Sequence, residues 1–301
     1  MNDFYKENKK MNIILSVQGG LGKSIFATAV CKAIKNNYPS SKLIVLTGYP
    51  DVFLNLDYVD MSFGHGQELY FFEKYIQNQE VKIFANEPYL MAEHVQQTEH
   101  IIETWCKMNG IVYRGELPDV YLNEREITFF ANKFRSDKPI MILQSNGGGG
   151  QTELKYSWAR DMPSVVAKTI VEEFHHKYTI FHLRRDDQLG YENTIPIQGS
   201  YKELACLIAF SSKRLFIDSF GQHLAAALKK PSTVLWIANS PVVFGYDVHD
   251  NILPNPETKK PDLRHAVFGK YNIGGALHEF PYEKDSEIFN IDKILASLYA
   301  Q

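Results

Sequence analysis

Cysteine is scarce in this chain, with three residues in 301, Cys31, Cys106 and Cys206. They lie far apart and form no C-x-x-C pair. They read as buried thiols in a reducing cytosol, not as a disulfide framework or a thiolate metal site. Long apolar runs are also missing: no stretch reaches ~18 residues, so no membrane-spanning helix is expected. The first ten residues, MNDFYKENKK, lack the apolar core of a signal peptide, so the expected location is cytoplasmic. Charge of one sign is not in excess. A net charge of −3 gives no push toward DNA, RNA or anionic lipid, and so no strong nucleic-acid signal. The ten histidines show no H-E-x-x-H or other metal-ligand spacing, and no G-x-S-x-G elbow exists. Repeats and low-complexity tracts are absent. What is present is 45% hydrophobic residues with 17 Tyr and 19 Phe, enough for well-packed cores, on a length that fits two domains.

The chain opens with an apolar run, Met11 to Val17, then the glycine turn Gly19-Gly20-Leu21-Gly22. Phe26, Val30, Ala33 and Ile34 follow at helical spacing, and Leu43 to Leu46 forms a second apolar run. Val81 to Ala85 is predicted as a strand and Glu93 to Met108 as one helix ending at Asn109-Gly110. Glu124 to Phe134 reads as a helix. The charged turn Arg135-Ser136-Asp137-Lys138-Pro139 then sets the expected boundary between a first domain, 1–137, and a second, 138–283. In the second the alternation restarts: strand 140–143, helix 163–176, strand 178–183, helix 200–210, strand 214–217, helix 219–229, strand 232–237. Residues 245–283 are rich in Pro, Gly, Asn and His and read as a long irregular segment. The closing helix, within 284–301, carries Ile288, Ile291, Ile294, Leu295 and Leu298 on one face.

Three turns carry chemistry. In KRLFIDSFGQHLAAALKKPSTVLWIANSP, residues 213–241, two buried strands flank one helix. The turn between them sets Asp218, Ser219 and a helix start opening on Gly221 at the strand ends, where an open parallel sheet binds ligands. A phosphate or a sugar hydroxyl suits that place; an N-capped βαβ unit without a ligand is the plainer reading. QSNGGGG, residues 144–150, follows a strand and precedes Lys155, Trp158 and Arg160. A Ser-Asn-Gly turn with a nearby lysine suits diphosphate binding, and a flexible surface loop is the alternative. HLRRDDQ, residues 182–188, ends a further strand, and Arg184, Arg185 and Asp186 there either meet a ribose or base or form a solvated charge cluster.

SVQGGLGKS, residues 16–24, invites a P-loop reading. That motif needs glycine where Val17 stands, and the deviant form of the MinD/ParA ATPases needs lysine where Gln18 stands. The other readings of Gly19, Gly20, Gly22 and Lys23 are a tight turn that lets the first helix pack close to the sheet, or a backbone cradle for acceptor or phosphate.

Together these stretches resemble glycosyltransferase family 9, the ADP-heptose:lipopolysaccharide heptosyltransferases. The runs GGLGKSIFATAVCKAIKNNYPSSKLIVLTGYPDVFLNLDYVD and YKELACLIAFSSKRLFIDSFGQHLAAALKKPSTVLWIANSP are similar to that family, the second through Asp218, Ser219, His223, Ala225, Ala226 and Pro241. The resemblance is clearest over 11–60 and 138–246 and weaker over 61–135. It implies an α/β GT-B fold, two Rossmann-like domains with parallel sheets facing across a cleft, with the last helix returning to the N-terminal domain. It implies inverting, metal-independent sugar transfer from a nucleotide-diphosphate donor to a hydroxyl of a glycan, lipid-linked or other acceptor. No cofactor is implied, since the nucleotide sugar is the substrate. Asp218 would hold sugar hydroxyls. Ser145, Asn146, Gly147, Lys155, Arg184, Ser219, Gly221, Gln222 and His223 would line the donor site.

One position departs from the family. After the glycine turn the family carries an aspartate, its general base, and this chain has Lys23. A lysine is a poor base unless its pKa is strongly lowered. His65 and Glu87, near expected strand ends of the first half, are the remaining base candidates. A non-catalytic nucleotide-sugar-binding protein and a P-loop ATPase are the alternatives to a transferase.

Overall fold

The computed structural model describes residues 11–147, 158–260 and 280–301. In chain order its elements are β1 (Asn12–Val17), α1 (Leu21–Asn37), β2 (Lys42–Thr47), β3 (Met61–Gly64), α2 (Phe71–Tyr75), β4 (Val81–Phe84), α3 (Ala92–Gln96) and α4 (Ile101–Met108). Then come α5 (Glu124–Lys133), β5 (Ile140–Leu143), α6 (Ser164–Phe174), β6 (Thr179–Leu183), β7 (Ile195–Ile197), α7 (Tyr201–Phe210) and β8 (Lys213–Ile217). The last are α8 (Phe220–Ala227), β9 (Thr233–Leu235), α9 (Pro241–Phe244), β10 (Asp250–Ile252) and α10 (Ile291–Ala300). They form two compact units, the first of residues Met1–Met91 and Ile101–Tyr121, the second of Ala92–His100 and Leu122–Gln301.

The first unit holds a four-stranded parallel sheet in the order β3-β2-β1-β4. β1 is mostly apolar, with Ile13, Ile14, Leu15 and Val17 all buried, because a central strand is covered on both faces. α1 is nearly as apolar on all sides: Ile25, Phe26, Ala29, Val30, Ala33 and Ile34 are buried together with Lys23 and Ser24. Trp105 of α4 is fully buried and meets Phe26 edge-on, with ring centroids 5.9 Å apart. Truncating such an indole to alanine costs about 3–5 kcal/mol.

The second unit holds a six-stranded parallel sheet in the order β10-β9-β8-β5-β6-β7. β8 is buried at all five positions, Lys213 and Arg214 included. Both cations sit at the strand's N-terminal end and are absorbed by carbonyls: Lys213 Nζ donates to Leu298 O, and Arg214 to Pro231 O and Ser211 O. A cation at the last turn of α10 also complements that helix's dipole.

The structure corrects the sequence expectations at several places. The helix expected over Glu93 to Met108 is two, α3 and α4, interrupted at Gln97, whose φ is +55°. The compact units part near 121, where the sequence reading expected 137; α5 packs on α7, with Lys133 Nζ 2.6 Å from Glu203 Oε1. The last helix belongs to the second unit. Ile288, Phe289, Ile294 and Leu298 fill the same core as Met141, Leu215 and Leu235, where the sequence reading expected the helix to return to the N-terminal domain. β3, β7 and β10, which carry little apolar signal, went unread; each lies at a sheet edge, and β7 contains Pro196, a residue suited to an edge strand.

Candidate functional site

Each sheet reverses its strand order once, between β1 and β4 in the first unit and between β5 and β8 in the second. Ligands of open parallel sheets sit outside the carboxyl ends of the strands at such a point.

At the first reversal, Gly19-Gly20 follows β1 and Glu87 follows β4. Gly19 has φ +108°, and a Cβ there would meet Lys23 Cδ at 3.2 Å, so the glycine permits both the turn and the path of the lysine. Lys23 is only 5% exposed. Its Nζ lies 2.7 and 2.6 Å from the two Glu87 oxygens, 4.7 Å from the Tyr89 ring centroid and 5.2 Å from that of Trp105. Burial lowers its pKa, and the hydrogen bond and charge of Glu87 oppose that. Sequence reasoning proposed Lys23 as an acceptor or phosphate contact. The structure commits it to Glu87 and two aromatic rings. His65, just past β3, places Nε2 3.3 Å from Val17 O. Gly20 closes the turn as the residue before α1, and Gly22 lies in the first turn of that helix. The structure thus gathers Gly19, Gly20, Gly22, Lys23, His65 and Glu87 at one end of one sheet.

At the second reversal, the Gln144 side chain bridges the two strands. Its Nε2 donates to Ser219 Oγ at 3.1 Å and its Oε1 accepts from Gly221 N at 3.2 Å. The Gly221 N–H, expected to be open to an anion, is therefore taken. Any side chain at 221 would also strike Phe216, 2.8 Å from a built Cβ. Asp218 is 8% exposed, and Asn239 Nδ2 donates to its Oδ2 at 2.5 Å. Burial raises its pKa; the Asn239 hydrogen bond and the charge of Arg160 pull the other way.

The turn after β5 is satisfied internally. Ser145 Oγ donates to Asn146 Oδ1 and lies 2.8 Å from His182 Nε2, while Gly147 N donates to Asp161 Oδ1 at 2.8 Å and Gly147 O accepts from Gln188. His182 is fully buried and its pKa is lowered to about 4, first by burial and then by Arg184. Arg184 Nη1 closes its own loop on Arg185 O and Gln188 O. Lys155 and Gly148 to Gly150 lie outside the described residues.

Gln222 and His223, implied as donor-site residues, are both buried. Gln222 Nε2 donates to Phe244 O, and His223 Nδ1 lies 2.9 Å from Tyr246 Oη. The segment that follows β9 covers that face of α8. Burial, then His100 and His249, lowers the His223 pKa to about 3, so it is a neutral, buried histidine. Sequence reasoning gave no role to Arg160. Its guanidinium lies against Gly147, where a built Cβ would come within 2.3 Å of Nε. The signal was a cation ten residues past the glycine run that follows β5. Among the described residues, no group of three or more His, Cys, Asp or Glu side chains is arranged to hold a metal ion, and no helix is long and apolar enough to cross a membrane.

No protein-family model matches the chain, and no curated protein matches it. Solved structures do. The chain is similar to the ADP-heptose lps heptosyltransferase II of E. coli, at 12% identity over 96% of this chain and 99% of that one, with a TM-score of 0.64. It is similar to the family 9 glycosyl transferase of Veillonella parvula, at 11% identity over 96% of each chain, with a TM-score of 0.65. A third likeness is to the iron-containing dodecameric glycosyltransferase TibC of enterotoxigenic E. coli, at 11% identity over 80% of this chain and 62% of that one, with a TM-score of 0.58. TibC is also known in complex with ADP-D-beta-D-heptose. These likenesses bear out the fold expectation: two parallel-sheet α/β units of the GT-B class.

Proposed function

We propose that the chain is a glycosyltransferase that moves a sugar, with inversion, from a nucleotide-diphosphate donor to an acceptor hydroxyl. The observation that carries this reading is the β5/β8 reversal, where Gln144, Asp218, Ser219 and Arg160 cluster on a fold that glycosyltransferases share. In this reading the second unit binds the donor. Asp218 uses the oxygen that Asn239 leaves open to accept from sugar hydroxyls, while the charge of Arg160, with that of Lys155 as the resemblance implies, serves the diphosphate.

Glu87 of the first unit takes the role of the absent aspartate, oriented by Lys23. It accepts the acceptor hydroxyl's proton as that oxygen attacks the anomeric carbon. The bond from that carbon to the diphosphate oxygen breaks on the opposite face, which inverts the centre. The two cations then carry the charge of the departing diphosphate without a metal ion. The acceptor is a glycan, a lipid-linked sugar or another hydroxyl compound. The P-loop ATPase reading is not carried forward, because Lys23 is buried against Glu87.

The test is release of nucleoside diphosphate from ADP-heptose and other nucleotide sugars by EDTA-treated protein supplied with candidate acceptors. Glu87→Gln is expected to lower kcat about 10²–10⁴-fold. Full activity in that variant, or a strict need for a divalent metal, overturns this mechanism. A nucleotide-sugar binder without transfer is the second reading. What favours it is that Lys23 engages both Glu87 oxygens.

A further inference from the structure

Residues 92–100 lie between β4 and α4 in the chain, yet they pack in the second unit. Their link to it is specific. Gln97 Oε1 accepts from Ser240 N at 2.9 Å, and Gln97 Nε2 points to Asn239 Oδ1 at 3.5 Å. Asn239 turns its other amide atom, Nδ2, to Asp218 Oδ2. The loop carrying Asn239 is pinned on both sides, since Ala238 N donates to Ala159 O at 3.0 Å and Ser240 N is held by Gln97. An amide has one acceptor end and one donor end. With Oδ1 held toward the Gln97 donor, Asn239 is left presenting N–H to the carboxylate.

We propose that Gln97 and Asn239 are positioning residues for Asp218: Gln97 sets the amide orientation of Asn239, and Asn239 fixes the Asp218 carboxylate. The consequence for sugar binding rests on the assignment of Asp218 to sugar hydroxyls given above. The relay itself does not. Gln97 holds a left-handed backbone, and glycine adopts that conformation without strain, so Gln97→Gly removes the side chain and leaves the turn intact. Ser240 supplies the comparison. Its Oγ accepts from Val242 N in the same loop, while the hydrogen bond to Asp218 comes from Asn239, so Ser240→Ala loosens the loop without breaking the relay.

The experiment is a carbon-13 NMR titration of the Asp218 carboxyl in the free full-length chain, assigned through Asp218→Asn. Among the described residues the charged group acting on it is Arg160, which is intact in every variant. Asn239→Ala is expected to raise the titration midpoint by about one to two pH units, the size of a lost hydrogen bond to a charged group. Asn239→Ser, which keeps a donor, restores part of that shift. Gln97→Gly raises the midpoint by less, and Ser240→Ala leaves it in place. An unmoved midpoint in Asn239→Ala, or an equal shift in Ser240→Ala, overturns the relay.

A second arm uses ADP-heptose and ADP as calorimetric probes. Asn239→Ala is expected to weaken ADP-heptose about tenfold and ADP less than twofold, consistent with about 1.4 kcal/mol. Shifted titrations with unchanged ADP-heptose binding leave the relay standing and overturn the assignment of Asp218 to the sugar.

Discussion

Lys23 Nζ sits between both carboxylate oxygens of Glu87, at 2.7 and 2.6 Å, across the point where the first sheet reverses its strand order. The two residues are 64 positions apart in the chain. The lysine side chain is 4% exposed and the glutamate side chain 38%, so the pair is half in water. Where the resembled family carries one carboxylate after the glycine turn, this chain has a cation there and brings a carboxylate to it from the loop after β4.

Glu87→Ala leaves a buried ammonium with only ring faces around it. The expected cost is about 1–3 kcal/mol of fold stability, at the low end for a buried pair because Glu87 is partly exposed. Lys23→Met combined with Glu87→Gln is expected to recover most of that loss, since neither partner is then charged. Urea unfolding of the three proteins checks this; an additive loss in the double variant contradicts it.

Lys23→Asp, which restores the family's residue type, sets a second carboxylate against Glu87 in a buried position. Two close carboxylates cannot both ionise freely. The variant is expected to lose stability and activity together. A rise in kcat in the nucleotide-release assay contradicts the role given to Glu87.

Three buried histidines give the stability a pH dependence of fixed sign. Burial lowers the pKa of His223 to about 3 and those of His182 and His249 to about 4. The unfolded chain takes up these protons near pH 6.5 and the folded one does not. Stability is therefore full above pH 6.5 and falls as the pH drops toward 4, by about 1.4 kcal/mol per pH unit for each histidine. Asp218, with its raised pKa, acts in the opposite sense, and an Asp218→Asn background removes that contribution. Equal unfolding midpoints at pH 7 and pH 5 in that background contradict the burial argument.

Arg160→Ala and Lys155→Ala are each expected to weaken nucleoside-diphosphate binding by about 1.5–3 kcal/mol, the range for a hydrogen bond to a charged group. Binding of the bare nucleoside is expected to change little. Equal losses for both ligands, read by calorimetry, place these side chains in loop support and not on phosphate.

Much of this was legible in the sequence because parallel strands buried on both faces are apolar runs, and the helices between them carry their own periodicity. Leu215, Phe216 and Ile217 followed by Asp218-Ser219 marked a strand end and a mouth without any structure. Pairing across the sheet was not legible: nothing local says that Glu87 meets Lys23, or that Asn239 meets Asp218. Periodicity also shows that Ile294 and Leu298 are buried, not what buries them, and here the partner is the second core. Gln222 and His223 entered as donor-site residues through the family resemblance, which says nothing of what covers them. In the structure Phe244 and Tyr246, at the end of α9 and the start of the stretch that reads as irregular, pack on these two side chains.

The most direct measurement compares binding of a panel of nucleotide-diphosphate sugars with that of the matching bare nucleoside diphosphates, in the wild-type chain and in Asp218→Asn. At least one sugar nucleotide is expected to bind the wild type more tightly than its bare diphosphate, with that preference lost in Asp218→Asn while the diphosphate still binds. A wild type that binds no member of the panel, or an Asp218→Asn variant that keeps the preference, contradicts a sugar-nucleotide site at the β5/β8 reversal.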